Sequence, residues 1–221
     1  FRRVLFRSRL LAKKRRRFTL KKVPLAAWLV IAFFAVGSML VVSSYWSQRQ
    51  AEVSQRQAIV DKKAAEKAKK EAFIKRLVPT AQAMQKQYGV LTSITLAQAI
   101  LESDWGTSTL AKDYHNLFGI KGTDPATTKV LRTKEYVNDK WITVDGRFRV
   151  YSDDAASIRD HALLFVNGTD WNPQQYATVR AAKDYKTAAS ALQTDGYATD
   201  PDYPQKLIHL IEAWNLTQYD N

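Results

Sequence analysis

Residues 25–42, LAAWLVIAFFAVGSMLVV, run for eighteen positions without a charged side chain, and no other stretch constrains the chain so strongly. As a helix they cover about 27 Å, close to the roughly 30 Å hydrocarbon core of a bilayer. Val23 and Pro24 before the run and residues 43–46 after it extend the span, with Tyr45 and Trp46 suited to the aromatic belt of the interface. Residues 1–22 hold eleven Lys or Arg and no acid. The positive-inside rule then keeps the N-terminus cytoplasmic and puts everything after residue 46 outside. The expectation is a basic cytoplasmic tail over 1–22 and a single-pass signal anchor over 23–46. A cleaved signal peptide is the alternative, but the run exceeds a usual apolar core of about 7–15 residues and no A-x-A site follows. Val42-Ser43-Ser44 comes nearest to one. The opening FRRVLFRS resembles an in-frame translation of a sequencing adapter, so residues 1–8 are read as foreign to the natural chain. Setting their three Arg aside leaves the charge asymmetry intact.

The formal net charge of +13 invites a nucleic-acid reading, and its distribution rejects it. Residues 47–78 contribute +5, whereas 79–221, with fourteen basic and seventeen acidic side chains, carry −3. A nucleic-acid groove must neutralise phosphates, so no such partner is expected. The chain has no Cys, which excludes disulfides, thiolate metal sites and a thiol nucleophile. His115, His161 and His209 are too scattered for a metal centre. Neither metal nor cofactor is expected.

Residues 47–71 are rich in Ala, Lys, Glu and Gln and contain no Gly or Pro. Helix propensity is high, but apolar positions are too sparse for a buried face, which predicts a solvated helical stalk. No heptad persists, so the chain is read as a monomer. From residue 72 the pattern turns globular. Phe73, Ile74, Leu77, Val78, Ala81 and Met84 recur at helical spacing up to Tyr88-Gly89. Thr92 and Ser93 read as N-caps of an apolar helix over 94–102. A short helix over 108–112 leads into the loop 116–122. Runs 129–137 and 141–151 read as a hairpin turning at 138–140. Helices follow over 153–166, 187–194 and 203–214, the last started by Asp200-Pro201.

Chemistry concentrates on Glu102. It closes Leu96-Ala97-Gln98-Ala99-Ile100-Leu101 and precedes Trp105-Gly106. A carboxyl buried beside apolar groups keeps its proton towards neutral pH and can act as a general acid. A Glu leaving the helix into solvent is the alternative. His115, with no partner at metal spacing, reads as an ordinary polar residue.

Three blocks in order, ITLAQAILESDWGTSTLAKDYHNLFGIKG (94–122), TKEYVNDKWITVDGRFRVYSD (133–153) and GYATDPDYPQKL (196–207), resemble the bacterial peptidoglycan glucosaminidases of glycoside hydrolase family 73. That family includes domains of flagellar peptidoglycan hydrolases and of Gram-positive autolysins. The resemblance covers about 72–217. It implies a mainly α, lysozyme-like domain whose groove is roofed by one β-hairpin, here preceded by a transmembrane helix and a helical stalk. The implied activity is endo-β-N-acetylglucosaminidase, cutting the β-1,4 bond after N-acetylglucosamine in peptidoglycan. By the same resemblance Glu102 is the acid that protonates the glycosidic oxygen. Glu135 is a second carboxylate, on the hairpin, that activates water or stabilises the oxocarbenium ion. Tyr197 is an active-site tyrosine that holds the 2-acetamido group or positions water. Asn116, Phe118 and Gly119 shape the groove floor and, with Trp105, Tyr136 and Tyr203, are candidate substrate-binding residues. Trp105 has a second reading as the residue that locks the end of the catalytic helix.

Carboxylates about 5 Å apart would indicate retention, about 6.5–9.5 Å inversion, and the acetamido oxygen of the sugar offers a third route. All three stay open on the sequence. So do two other functions: a muramidase or lytic transglycosylase on the same architecture, and a catalytically silent wall-binding module.

Overall fold

The computed structural model describes residues 24–137 and 140–220, and for 134–137 and 140–142 the backbone alone. The chain divides into two compact units, 1–62 and 63–221. One helix, α1 (Leu25–Tyr88), begins in the first and ends in the second.

In the first unit the apolar side chains of α1 are exposed all round, Phe33 and Phe34 among them. The Ser38 and Ser44 hydroxyls donate to the carbonyls of Ala35 and Val41 at 2.9 and 2.8 Å, which hides their polarity within the helix. Among the described residues α1 is the one helix long and apolar enough to cross a membrane. Residues 47–69 are helical and exposed, as the composition predicts. Pairs four apart brace them, Gln57 on Asp61 at 2.8 Å for one.

In the second unit α1 becomes amphipathic, burying Phe73, Ile74, Leu77, Ala81 and Met84. After it come α2 (Thr92–Ser103), α3 (Thr109–Tyr114), strands β1 (Thr128–Val137) and β2 (Lys140–Arg149), α4 (Asp154–Asn167), α5 (Ala177–Ala181), α6 (Tyr185–Thr194), α7 (Tyr203–Ala213) and a 3-10 turn, Leu216–Tyr219. Helix α2 is the hub. Residues 92–100 are all buried, and the helix packs against α6, α7 and the 3-10 turn. Such a helix cannot leave its first N–H groups to water. Here the sequence expectation is corrected: Thr92 and Ser93 lie inside α2 and do not cap it. The Gln85 side-chain oxygen accepts from the Thr92 N–H and hydroxyl at 2.8 and 2.6 Å, and Asp220 accepts from the Ser93 N–H at 2.7 Å.

The other end of α2 is closed by three residues in the left-handed region, Asp104, Trp105 and Gly106. The Trp105 N–H donates to the Ile100 carbonyl at 3.1 Å, and the Ser103 hydroxyl accepts from the Gly106 N–H at 2.7 Å. Gly106 is required twice over: its φ is +73°, and a Cβ would lie 2.6 Å from the Phe73 ring.

The hairpin pairs antiparallel with Val137 opposite Lys140 and Thr128 opposite Arg149, so Lys140 belongs to the strand rather than to the turn. Its base is anchored three ways. Phe148 is buried, Arg149 and the Tyr151 hydroxyl both donate to Asp160 of α4, and the Arg149 carbonyl accepts from Asn116. The last helix also departs from expectation. Pro204 occupies its first turn, and Pro201 precedes the N-cap residue Asp202.

His161 of α4 is fully buried, and neither ring nitrogen has a hydrogen-bond partner. It stacks on Phe118 at 3.8 Å and meets Phe165 and Tyr197 edge-on. Burial pushes its pKa down from 6.5 to about 3.

Two outcomes follow for stability. Gly106→Ala is expected to destabilise the domain by about 1–3 kcal/mol, read by thermal unfolding. Between pH 6.5 and about 3 the unfolded chain binds a proton at His161 that the folded chain refuses, so stability falls as pH falls. The loss has a ceiling of about 1.4 kcal/mol per pH unit. His161→Leu should flatten the dependence of melting temperature on pH across that interval, whatever it does to the melting temperature at pH 7.

Candidate active site

The last turn of α2 delivers Leu101 and Glu102 into a cleft of about 1200 Å³. One wall is the loop 118–123, another is Asp145, Gly146 and Arg147 of β2, and 169–171 and 197–206 complete it. The floor is aromatic. The Tyr197 ring stacks with Phe165 at 5.7 Å and with Tyr203 at 5.9 Å, and Phe118 lies on His161 beside them. This layer gives the cleft an apolar base that strips part of the hydration from a carboxyl set against it.

Glu102 sits on that base. Burial raises its pKa, and a hydrogen bond from Tyr203, whose hydroxyl donates to Oε1 at 2.8 Å, lowers it; burial prevails. The C-terminal end of α2 also disfavours a negative charge there. Burial drives the Tyr203 hydroxyl far above its ordinary pKa, so it stays protonated and can only donate towards the carboxylate. Gln98 Nε2 in turn donates to the Tyr203 oxygen at 3.1 Å. The relay Gln98 to Tyr203 to Glu102 has one direction and holds the carboxyl in one place. A positioned acid of raised pKa, open to a groove, can protonate a leaving-group oxygen.

Of the residues singled out in the sequence, Glu102, Phe118, Gly119, Tyr197 and Tyr203 line this cleft together. Tyr203 does so from beneath: it is 4% exposed, and its hydroxyl is committed to Glu102, which makes it a positioning residue rather than a sugar contact. Gly119 is needed for its φ of +67°; a Cβ there would meet open space. Two expectations are corrected. Asn116 is buried with its amide fully spent, donating to the Ile120 and Arg149 carbonyls and accepting from the Phe118 and Ile120 N–H groups. It shapes the loop and has nothing left for a sugar. Trp105 is absent from the lining. Its positive φ turns the indole onto Trp214 and Phe73, with ring centres 4.8 and 6.3 Å away, and Lys70 caps it at 5.1 Å. Glu135 and Tyr136 pair through their backbones with Ile142 and Trp141 in the hairpin, and their side chains lie outside the described residues.

The cleft also holds residues the sequence did not single out: Lys121, Asp145, Arg147, Asp170, Trp171 and Lys206. Charged side chains in loops and on an exposed strand look the same in sequence whether they face a groove or bulk water. Asp200 is engaged by Lys206 and by the Asp202 N–H, which hold its pKa below the usual carboxylate range. Tyr197, half-buried, has a hydroxyl pKa raised well above its ordinary value by burial, so it stays neutral beside Glu102. His115 bonds Asp154 through Nδ1 at 2.8 Å, an ordinary tie between α3 and α4.

Comparison with known proteins gives this geometry a family. The model of the Glucosaminidase family, described as mannosyl-glycoprotein endo-beta-N-acetylglucosaminidase, matches residues 78–216. The chain is 47% identical over 161 residues to the exo-glucosaminidase LytG of Bacillus subtilis (strain 168), covering 73% of this chain and 57% of the relative. It is 36% identical over 215 residues to a probable N-acetylmuramidase of Lactococcus lactis subsp. lactis (strain IL1403), covering 96% and 48%. It thus spans about half the length of these relatives. Among solved structures, the catalytic domain of the autolysin Auto from Listeria monocytogenes superposes with a TM-score of 0.64 at 38% identity, covering 69% of this chain and 88% of that one. The mainly helical domain with one hairpin is therefore the lysozyme-like architecture expected from the motifs. The chain belongs to the glucosaminidase family, glycoside hydrolase family 73.

Proposed function

We propose that this chain is a membrane-anchored peptidoglycan hydrolase that cleaves the β-1,4 bond after N-acetylglucosamine, with Glu102 as general acid. The observation that carries the reading is the carboxyl of Glu102, open to the cleft yet held by Tyr203 and set against an aromatic base that raises its pKa. Residues 23–46 serve as the anchor, 1–22 as its cytoplasmic tail, 47–71 as the stalk and 72–217 as the catalytic domain outside the membrane. The exposed apolar face of α1 and the basic flank before it support that topology.

In the reaction, Glu102 gives its proton to the glycosidic oxygen as the bond breaks. Glu135, placed on β1 by the hairpin register, serves as the second carboxylate by resemblance to the family. Tyr197, neutral and on the aromatic floor, offers a hydroxyl to the 2-acetamido group or to the attacking water.

A second reading, cleavage on the muramic acid side, draws on the relative named probable N-acetylmuramidase, which aligns with 96% of this chain. The new reducing end separates the two. Digestion of purified peptidoglycan by the full-length chain in detergent, followed by borohydride reduction and mass spectrometry, should give reduced N-acetylglucosamine ends. Reduced muramic acid ends would establish the second reading. Glu102→Gln should lower the rate by about 10²–10⁴-fold. The pH profile supplies an independent check. Tyr203 stabilises the ionised form of Glu102, so Tyr203→Phe removes a lowering influence and should move the alkaline limb of kcat/KM to higher pH. An unchanged or acid-shifted limb would show that Glu102 is not the group titrating there.

A further inference from the structure

From residue 63 onward, the described large apolar side chain most exposed to water is that of Trp171, at 80%, well ahead of Val130 at 51% and Leu163 at 37%. A loop too loose to fold its indole away could leave it so, but this loop is closed. Gly168 turns the chain with φ of +64°, so tightly that a Cβ would lie 2.2 Å from the Asn172 carbonyl oxygen. Thr169 and Asn172 exchange backbone hydrogen bonds at 3.1 and 3.0 Å, which leaves Asp170 and Trp171 at the tip. The Thr169 hydroxyl donates to Gln175 at 2.6 Å, and Gln175 Nε2 donates to the Asp195 carbonyl at 2.7 Å, tying the turn to the end of α6. The Asn172 side chain accepts from the Gln174 N–H at 3.1 Å. The backbone beneath the indole is thus fixed at both ends, and the indole stays in water because the turn presents it.

The turn presents it to the cleft. Thr169, Asp170 and Trp171 line the same groove as Glu102 and Tyr197. A β-1,4-linked N-acetylhexosamine ring carries its substituents equatorially and its axial C–H groups on both faces, so each face is flat and apolar. An exposed indole matches such a face in size and polarity, and it orders few rotors in doing so. Asp170 beside it offers a carboxylate acceptor to the ring's equatorial hydroxyl and amide groups.

We propose that Trp171 is a sugar-stacking platform at the edge of the Glu102 cleft, taking the face of a glycan residue beyond the two that flank the cleaved bond. This rests on the reading of the cleft as a glycan site. A platform that holds a distant sugar equally in ground state and transition state supplies uniform binding, whose loss falls on KM rather than on kcat.

The test uses the full-length chain in detergent, carrying Glu102→Gln so that ligand survives. Binding of the β-1,4-linked N-acetylglucosamine hexasaccharide is measured by calorimetry, and binding of purified peptidoglycan by co-sedimentation. Adding Trp171→Ala should weaken hexasaccharide binding about tenfold, and Trp171→Phe should recover most of the loss. In the active chain the same loss should appear in KM. Equal affinity with and without the indole overturns the proposal, as does a loss that Phe fails to recover. If the parent Glu102→Gln chain binds neither glycan, the reading of the cleft itself fails, which is a separate result.

Discussion

The hydrogen bond from Tyr203 to Glu102 joins the two helices on which the domain is built, and it exists because α2 is buried along almost its whole length. A helix sunk in a core is an unusual place to end near a carboxyl, since the charged form loses part of its hydration against the apolar base of the cleft. Here the loss is only partly offset, by one donor that is itself held by Gln98. Full compensation by an ion pair would give a carboxylate that ionises early and cannot act as an acid at neutral pH. Partial compensation by a neutral hydroxyl fixes the position of the group and leaves its proton affinity high. The burial of α2, which holds the fold together, is therefore also what tunes the acid.

That burial has a cost at both ends of α2, and much of the surrounding structure answers it. The first N–H groups are satisfied from α1 through Gln85 and from the far end of the chain through Asp220. The 3-10 turn that carries Leu216 into the core also brings Asp220 to its place. At the other end three left-handed residues turn the chain away, and Gly106 lies against Phe73. These are long-range solutions to a local problem, which is why the sequence did not disclose them. Thr92 and Ser93 look like caps in a local reading. The groups that cap instead are 7 and 127 residues away.

The same distinction separates what was legible from what was not. Helices α1, α2, α4 and α7 announce themselves by apolar spacing, and the hairpin by its alternating, β-branched runs. The five-residue α5 and the four-residue 3-10 turn are shorter than any period and leave no such trace. Glu102 stood out as an isolated carboxyl at the end of an apolar run, and the resemblance of the block around it, rather than that isolation, pointed to a role. Asn116 was misread because an amide in a Gly-bounded loop beside a site looks like a ligand donor until its four hydrogen bonds are seen to be internal. Trp105 adjoins the acid in sequence, but its positive φ sends the ring elsewhere. Trp171 stands alone in a polar loop, and nothing local marks it as part of the groove.

Helix α1 carries three side-chain patterns on one backbone conformation. Nothing between Gly37 and Pro79 breaks it, and Pro79 itself sits on an exposed face within it. Along its length the backbone stays helical while the side chains change from apolar all round, to mostly polar, to apolar on one face. Each pattern suits a different surrounding: hydrocarbon, water, and a protein core. The acid is insulated from those changes. Burial by the core and the hydroxyl of Tyr203 both belong to the helical part of the second unit, so the raised proton affinity of Glu102 is set there. The cleft thus sets the proton affinity of Glu102 from its helical floor, while β2 lends it a separate wall that carries Asp145 and Arg147.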